Sequence, residues 1–282
     1  MSMPAQGQAS YSGMVGTAPI ELVLEAYSDG LVTAAYAYTK YDTPIALEGT
    51  LRRDLLVLAE KTAQGKASAT LMLPTFSTAA KTAVGTWKNL LTGQELPITL
   101  TQQFVVEEGE GKKWDHKELL QARALKGIYF KAVLTKQPDD FTAGVTEIKL
   151  FEKKTDRLVQ KFAVECQLQG LHNVAVGDFN FDGLEDFSVY EHGAAGPNTT
   201  SLYFLYDPAT KRYVQSSFSG TSLEFDAKKR RIYERNSCCA GSQVTTAEYK
   251  VVNNRMVLVA QHCYTRDEKK QDLVERKLSA CQ

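Results

Sequence analysis

With 282 residues, 33 Lys plus Arg against 33 Asp plus Glu and a formal charge of zero, the chain is long enough for a large core and two domains. It carries no basic excess for a nucleic-acid partner, and no run approaches the roughly 18 consecutive apolar residues of a membrane span. The opening Met-Ser-Met-Pro-Ala-Gln-Gly-Gln-Ala-Ser lacks the charged start and apolar stretch of a secretory leader, so the chain reads either as cytoplasmic or as an exported protein whose native leader has been replaced.

Alternation of apolar and polar residues governs the first third. Ile20–Leu24 reads as a strand and Val32–Tyr38 as its partner, with Ser28-Asp29-Gly30 as the turn between them. Further strands are expected at Leu55–Glu60, Ala69–Leu73, Gly85–Leu90 and Ile98–Val106, with Gly, Thr, Asn and Pro between them. This spacing predicts an antiparallel β domain over 12–106. Tyr36, Tyr38, Trp87 and Phe104 fall on its strands and read as core. Glu107-Glu-Gly-Glu-Gly-Lys-Lys113 then turns the composition polar and glycine-rich, as a linker does. A helical pattern follows, with Asp115 as cap, Glu118 reaching back, Leu119, Leu120, Ala122 and Leu125 inside, and Gly127 as the stop. Residues 107–127 are thus expected to form a linker and one short helix. Strand patterning resumes at Ile128–Leu134, Thr146–Glu152, Gln160–Gln167, Phe187–Tyr190, Ser201–Tyr206, Tyr213–Gln215, Ala247–Val252 and Met256–His262, predicting a second β domain over 128–282. Strands do not alternate with long helices, so the fold class is all-β in two antiparallel domains.

One stretch has a spacing that demands a particular chemistry. Asp178-Phe-Asn180-Phe-Asp182-Gly183-Leu-Glu-Asp186 places oxygen donors at positions 1, 3, 5 and 9 and a glycine at 6. That pattern suits calcium, a hard cation that takes six to eight oxygens. The expected ligands are the side chains of Asp178, Asn180, Asp182 and Asp186 and the backbone carbonyl of Leu184. Phe179, Phe181 and Phe187 point the opposite way and are expected to pin the loop to a core. The twelfth position is Val189, without oxygen, which excludes an EF-hand. The alternative is an Asp/Asn-rich turn that binds nothing.

Four of the five cysteines (Cys238, Cys239, Cys263, Cys281) fall in the last 45 residues, and Cys166 precedes them. They form no CxxC pair, so disulfides in an oxidising compartment are expected in place of a zinc site, and calcium points to the same compartment. No GxSxG elbow, HExxH helix, P-loop or complete dinucleotide fingerprint occurs, and His262 and Cys263 are neighbours facing opposite sides of a strand. Among 33 acidic residues a pair able to cleave a glycosidic bond remains an open alternative. Lys228-Lys229-Arg230-Arg231 reads as a solvated strand end or, failing that, a patch for an acidic partner.

The run Gly177–Phe187, then Gly196-Pro-Asn198, then Tyr203-Phe-Leu-Tyr206-Asp207-Pro208-Ala-Thr-Lys-Arg-Tyr-Val214 resembles a group of calcium-binding, lysozyme-inhibitor-like periplasmic immunity proteins. These protect bacteria from peptidoglycan-degrading effectors delivered by type IV or type VI secretion. Gly16–Leu22, Ala35–Tyr38, Tyr41–Gly49 and Gly85-Thr-Trp87 look like the β module that precedes their globular domain. The likeness covers roughly 12–104 and 128–262. It implies a propeller-like C-terminal domain similar to the invertebrate-type lysozyme inhibitors, a secreted cell-wall hydrolase as protein partner, a periplasmic location, and export that often adds a lipid anchor to the native precursor. Two departures stand out. No lipobox cysteine is present, and Ser219-Gly220-Thr221-Ser222 has serine where the inhibitor loop Ser-Gly-x-Tyr has tyrosine. No inhibitory residue is therefore carried over. His192, Gly193, Asn198, Ser219 and Gly220, in loops around 193–200 and 217–221, are the candidate effector contacts. A calcium-dependent envelope-binding or adhesion module, and an envelope hydrolase with an acidic site, are the alternatives.

Overall fold

The structure, a computed structural model, describes residues 7–62, 64–106, 108–193 and 196–281. The described residues are β-strands joined by turns and three short 3-10 turns, and the chain divides into two compact units, Met1–Val174 and Ala175–Gln282. No helix among the described residues is long and apolar enough to cross a membrane.

The first unit opens with a closed barrel of eight antiparallel strands. They are β1 (Gly7–Val15), β2 (Ala18–Ala26), β3 (Leu31–Tyr38), β4 (Ile45–Arg52), β5 (Leu55–Lys61), β6 (Ala67–Leu73), β7 (Thr82–Asn89) and β8 (Glu95–Val106). Closure is made by β1 against β8, from Gln8↔Val106 to Val15↔Ile98, which leaves no edge strand unpaired. Alternate residues such as Leu22 and Leu24, Leu56 and Leu58, Leu71 and Leu73, and Ile98 and Leu100 turn inward and are buried. Eight strands leave an interior just wide enough for such side chains to fill. Gly49 permits the close approach of β4 and β5, because a Cβ there would meet the Val57 carbonyl oxygen at 1.8 Å. Tyr36 is buried in this core, with Tyr38 and Trp87 packed against it. Glu60 Oε1 accepts from both Tyr36 Oη (2.5 Å) and Trp87 Nε1 (2.7 Å).

The same unit holds a four-stranded sheet in the order β12-β11-β10-β9, made of β9 (Trp114–Ala124), β10 (Ile128–Lys136), β11 (Gly144–Glu152) and β12 (Arg157–Gln167). The expected helix at 115–125 is therefore corrected: these residues are strand β9. Leu119, Leu120, Gln121 and Ala122 are all buried in succession, as happens in a strand covered on both faces. The pairing of β9 with β10 also slips, so that Tyr129↔Ala124 is followed by Lys131↔Leu120. A bulge of this kind breaks the period of two and leaves apolar spacings that imitate a helix. The glycine-rich stretch before β9 is held down by the buried Lys136, whose Nζ donates to the carbonyls of Gly109 (2.6 Å) and Phe141 (3.1 Å).

The second unit contains two antiparallel sheets. One has the order β13-β14-β15-β16, with β13 (Val174–Gly177), β14 (Asp186–Gly193), β15 (Thr199–Asp207) and β16 (Arg212–Gln215). The other is a five-stranded meander of β17 (Glu224–Asp226), β18 (Arg231–Cys238), β19 (Gln243–Val252), β20 (Arg255–Asp267) and β21 (Asp272–Arg276). Its core is an aromatic-rich cluster of Phe181, Tyr203, Leu205, Phe218 and Ile232, against which Phe179, Phe225 and Tyr249 pack. Cys263 and Cys281 are bridged, as are the neighbours Cys238 and Cys239. The remaining cysteine, Cys166, is buried in β12 of the first unit.

Candidate metal centre

The stretch 178–185 joins β13 to β14, and Asp186 is the first residue of β14. Local rules explain its shape. Asp and Asn side chains accept from backbone N–H groups a few residues on, which folds the chain into successive tight turns. Asp178 Oδ1 accepts from Asp182 N (3.0 Å) and Oδ2 from Gly183 N (2.8 Å). Asn180 Oδ1 accepts from Asp182 N (3.1 Å), and Asp182 Oδ1 from Leu184 N (2.8 Å). Phe181 and Gly183 adopt positive φ of 63° and 89°, the second being the conformation for which glycine is favoured.

The alternate residues turn inward as expected. Phe179 packs edge-on to Tyr203 at 5.1 Å and against Phe225 at 4.8 Å, and Phe187 stacks on Phe204 at 4.6 Å. The buried Asn180 donates from Nδ2 to Asp182 Oδ2 (2.8 Å) and to Asn254 Oδ1 (3.1 Å). Arg230, from the basic run, donates to the Phe181 carbonyl (2.6 Å), and Arg231 pairs with Glu248 (2.8 Å). The run is thus spent partly on the unit's own structure.

Asp186 is wholly buried. Its Oδ1 accepts from Tyr206 N (2.8 Å) and its Oδ2 from Phe179 N (3.0 Å), so it ties the loop to β15. Burial raises its carboxyl most, the two N–H donors oppose that, and the charges of Asp182 and Asp178 add to it, pushing it up to about 6. Among the described residues no Lys, Arg or His forms an ion pair with Asp178, Asp182 or Asp186.

These donors fit calcium in kind: three carboxylates, an amide oxygen and a carbonyl, all hard oxygens, with lone pairs beyond those given to the backbone. They do not converge as they stand. Among the described residues no three His, Cys, Asp or Glu groups are gathered as a metal cage, and the Asn180 amide nitrogen donates to Asp182 Oδ2. The residues that would hold the ion are Asp178, Asn180, Asp182, Leu184 through its carbonyl, and Asp186. Its contribution would be to cancel the repulsion among the three carboxylates.

The candidate contact residues meet on the neighbouring loops. Thr200 Oγ1 lies 3.1 Å from His192 Nδ1, and Gly193 pairs with Thr199 at the tip of the β14–β15 hairpin; residues 194–195 of that tip lie outside the described residues. Ser219 and Gly220 line an open groove of about 460 Å³ with Thr200, Leu202 and Phe218. Asn198 is buried, and its side chain is spent on β18: Nδ2 donates to Asn236 Oδ1 (3.1 Å) and the Ser237 carbonyl (2.8 Å), while Oδ1 accepts from Ser237 N (2.9 Å). It ties the 196–200 segment to β18. Sequence reasoning missed the groups that lock these loops together. Ser222 N donates to the Thr199 carbonyl (2.7 Å), and Glu234 accepts from Thr221 N (2.8 Å) and Tyr249 Oη (2.6 Å). Each lies far from its partner in the chain, and no local pattern announces such pairs.

The first unit holds a second polar recess, of about 350 Å³, where Glu21, Asp42, Glu118 and Asp156 surround Tyr129. Its acids are engaged. Lys131 pairs with Glu21 and Lys149 with Glu118, both at 2.7 Å; Tyr129 Oη donates to Asp156 (2.6 Å) and Lys154 N to Asp42 (2.7 Å). Burial raises the Asp42 carboxyl and also the Tyr129 phenol, where Asp156 adds to the effect. Compared with known proteins, the chain matches no family model, and no curated protein matches it in sequence.

Proposed function

We propose that this protein is a periplasmic immunity protein that binds a secreted, lysozyme-like peptidoglycan hydrolase and blocks its cleft, with calcium as a structural staple and a propeller-like C-terminal domain. The observation that supports this best is the locked set of loops in the second unit. Residues 196–200, 217–222 and 236–237 are bound to one another through Asn198, Ser222 and Glu234. An inhibitor needs no catalytic group; it needs polar loops whose order is established before binding, because ordering them on binding lowers affinity. The calcium loop enters β14, the strand that leads to the same hairpin. Neutralising its carboxylates holds that end of the surface.

The test mixes the full chain with purified sacculi and a lysozyme-type hydrolase, with calcium and with chelator. Fragment release is expected to fall in stoichiometric proportion to the chain, and chelation is expected to weaken the block. Fragment release by the chain alone would replace this reading with the envelope-hydrolase one, for which the recess around Asp42 and Asp156 is the place to look. Unchanged hydrolysis across a panel of peptidoglycan hydrolases would favour the calcium-dependent adhesion module.

A further inference from the structure

The bridge between the adjacent residues Cys238 and Cys239 lies at the end of β18, where the chain turns into β19. Bridging neighbours closes a small ring through their shared peptide, with the Cα atoms at the 3.8 Å of any trans peptide. Such a ring removes almost no freedom from the unfolded chain, because its ends are already bonded. The second bridge, Cys263–Cys281, spans 18 residues of sequence. The two therefore differ in kind: one ties the unit together, the other shapes a single turn. Both cysteines of the turn are exposed, whereas Cys263 is fully buried. Cys239 lies in the ring at a positive φ of 57° and leads directly into Ala240 and Gly241 at 54° and 81°, a conformation that Cys and Ala rarely keep without an external hold.

What the turn touches gives it a consequence. Ser237, one residue before the bridge, is the residue whose N–H and carbonyl are both bound by the buried Asn198. Asn198 in turn carries the segment into Thr199, which is zipped to Ser222. On the other side Cys239 Sγ lies 3.8 Å from Gln243 Oε1, and the Cys239 carbonyl accepts from Ser242 N and Oγ. The shape of the ring is therefore one bond from the clamp that orders the 196–200 and 217–222 loops.

We infer that Cys238–Cys239 is a reversible thiol–disulfide exchange site whose redox state sets the order of the loop surface held by Asn198. The step needs a dithiol. Its thiolate attacks one of the two exposed sulfurs, the Cys238–Cys239 bond breaks, and a mixed disulfide forms. The second thiol of the reductant resolves it, leaving two protein thiols and an oxidised, cyclic reductant, so two electrons and two protons pass to the protein. Released from the ring, Cys239 relaxes out of the left-handed region, taking the turn at Ala240 with it, and Ser237 loses its fixed register against Asn198. Oxidation restores both. Only the consequence for hydrolase binding rests on the proposed function; the exchange site and its coupling to Asn198 do not.

The experiment exposes the full chain to graded dithiothreitol, alkylates the thiols and locates them by mass spectrometry, with amide hydrogen exchange measured at each step. Cys238 and Cys239 are expected to become alkylated at lower dithiol than Cys263 and Cys281. At that point the Ser237 amide and those of 198–200 are expected to exchange roughly tenfold faster, as a local opening allows, while the barrel strands stay unchanged. The paired substitution of Cys238→Ser with Cys239→Ser is expected to show the fast exchange without reductant. The proposal is overturned if both bridges open together, if Cys238 and Cys239 are alkylated before any reductant is added, or if opening leaves Ser237 exchange unmoved. A chain that behaves as expected yet inhibits no hydrolase in either state would end the immunity reading and leave the exchange site standing.

Discussion

Asp186 is pulled in opposite directions: its two backbone N–H donors favour the charged carboxylate, whereas burial and the two neighbouring carboxylates favour the neutral form. Replacing it with Ala leaves Phe179 N–H and Tyr206 N–H without their acceptor. An unsatisfied buried donor costs roughly 1–3 kcal/mol, so Asp186→Ala is expected to lose about 3 kcal/mol in urea unfolding. Asp186→Asn keeps one acceptor and is expected to lose less. In the parent, calcium at about a hundred times its Kd is expected to stabilise by about 2.7 kcal/mol, seen as a higher melting temperature than in chelator; in Asp186→Ala that rise should vanish. A calcium-independent melting temperature in the parent would reduce the loop to a hydrogen-bonded turn. The inward phenylalanines were legible in the sequence because they follow from the local pattern of the loop. The burial of Asn198 was not, since it depends on Asn236 and Ser237, 38 and 39 residues away.

At the level of single elements, strands such as β5 and β6, with one face buried and the other wet, were readable, whereas β1 and β4 were not singled out. β9 was misread for a physical reason: four consecutive buried residues and a bulge erase the period of two, and a cap-like Asp115 and a stop-like Gly127 complete the illusion. The two readings make opposite statements about one residue. In the helix, Gln121 lies on the outer face, where Ala is at least as good. In β9 it is fully buried, and its side chain accepts from Val174 N (3.3 Å) and donates to the carbonyls of Leu119 (3.3 Å) and Gly170 (3.4 Å). Gln121→Ala is therefore expected to destabilise by about 2 kcal/mol, read as a lower urea midpoint. A neutral or stabilising result would return residues 115–125 to the helix. β4 offers a second check. A Cβ at Gly49 would strike the Val57 carbonyl, so Gly49→Ala is expected to force the β4–β5 pair apart at a cost of about 3 kcal/mol. A folded barrel of parental stability would show that the two strands tolerate wider spacing.

For the molecule as a whole, each unit has its own core: aliphatic and closed in the barrel, aromatic and open-edged in the second unit. The second has the fewer buried apolar residues and carries both bridges, and cross-links are where small β units usually gain their stability. Cys263–Cys281 joins β20 to the turn after β21 and so holds the last strands of the meander. Closing a loop of that length is worth about 3 kcal/mol in the chain-entropy account. Replacing both cysteines with alanine is expected to remove that amount from the second unit, read by hydrogen exchange as faster opening of β19 and β20, with the barrel amides β1–β8 unchanged. The expectation follows from which core each strand belongs to. Were the barrel amides to accelerate by the same factor, the chain would be unfolding as one cooperative body, and the two cores could not be assigned separate stabilities.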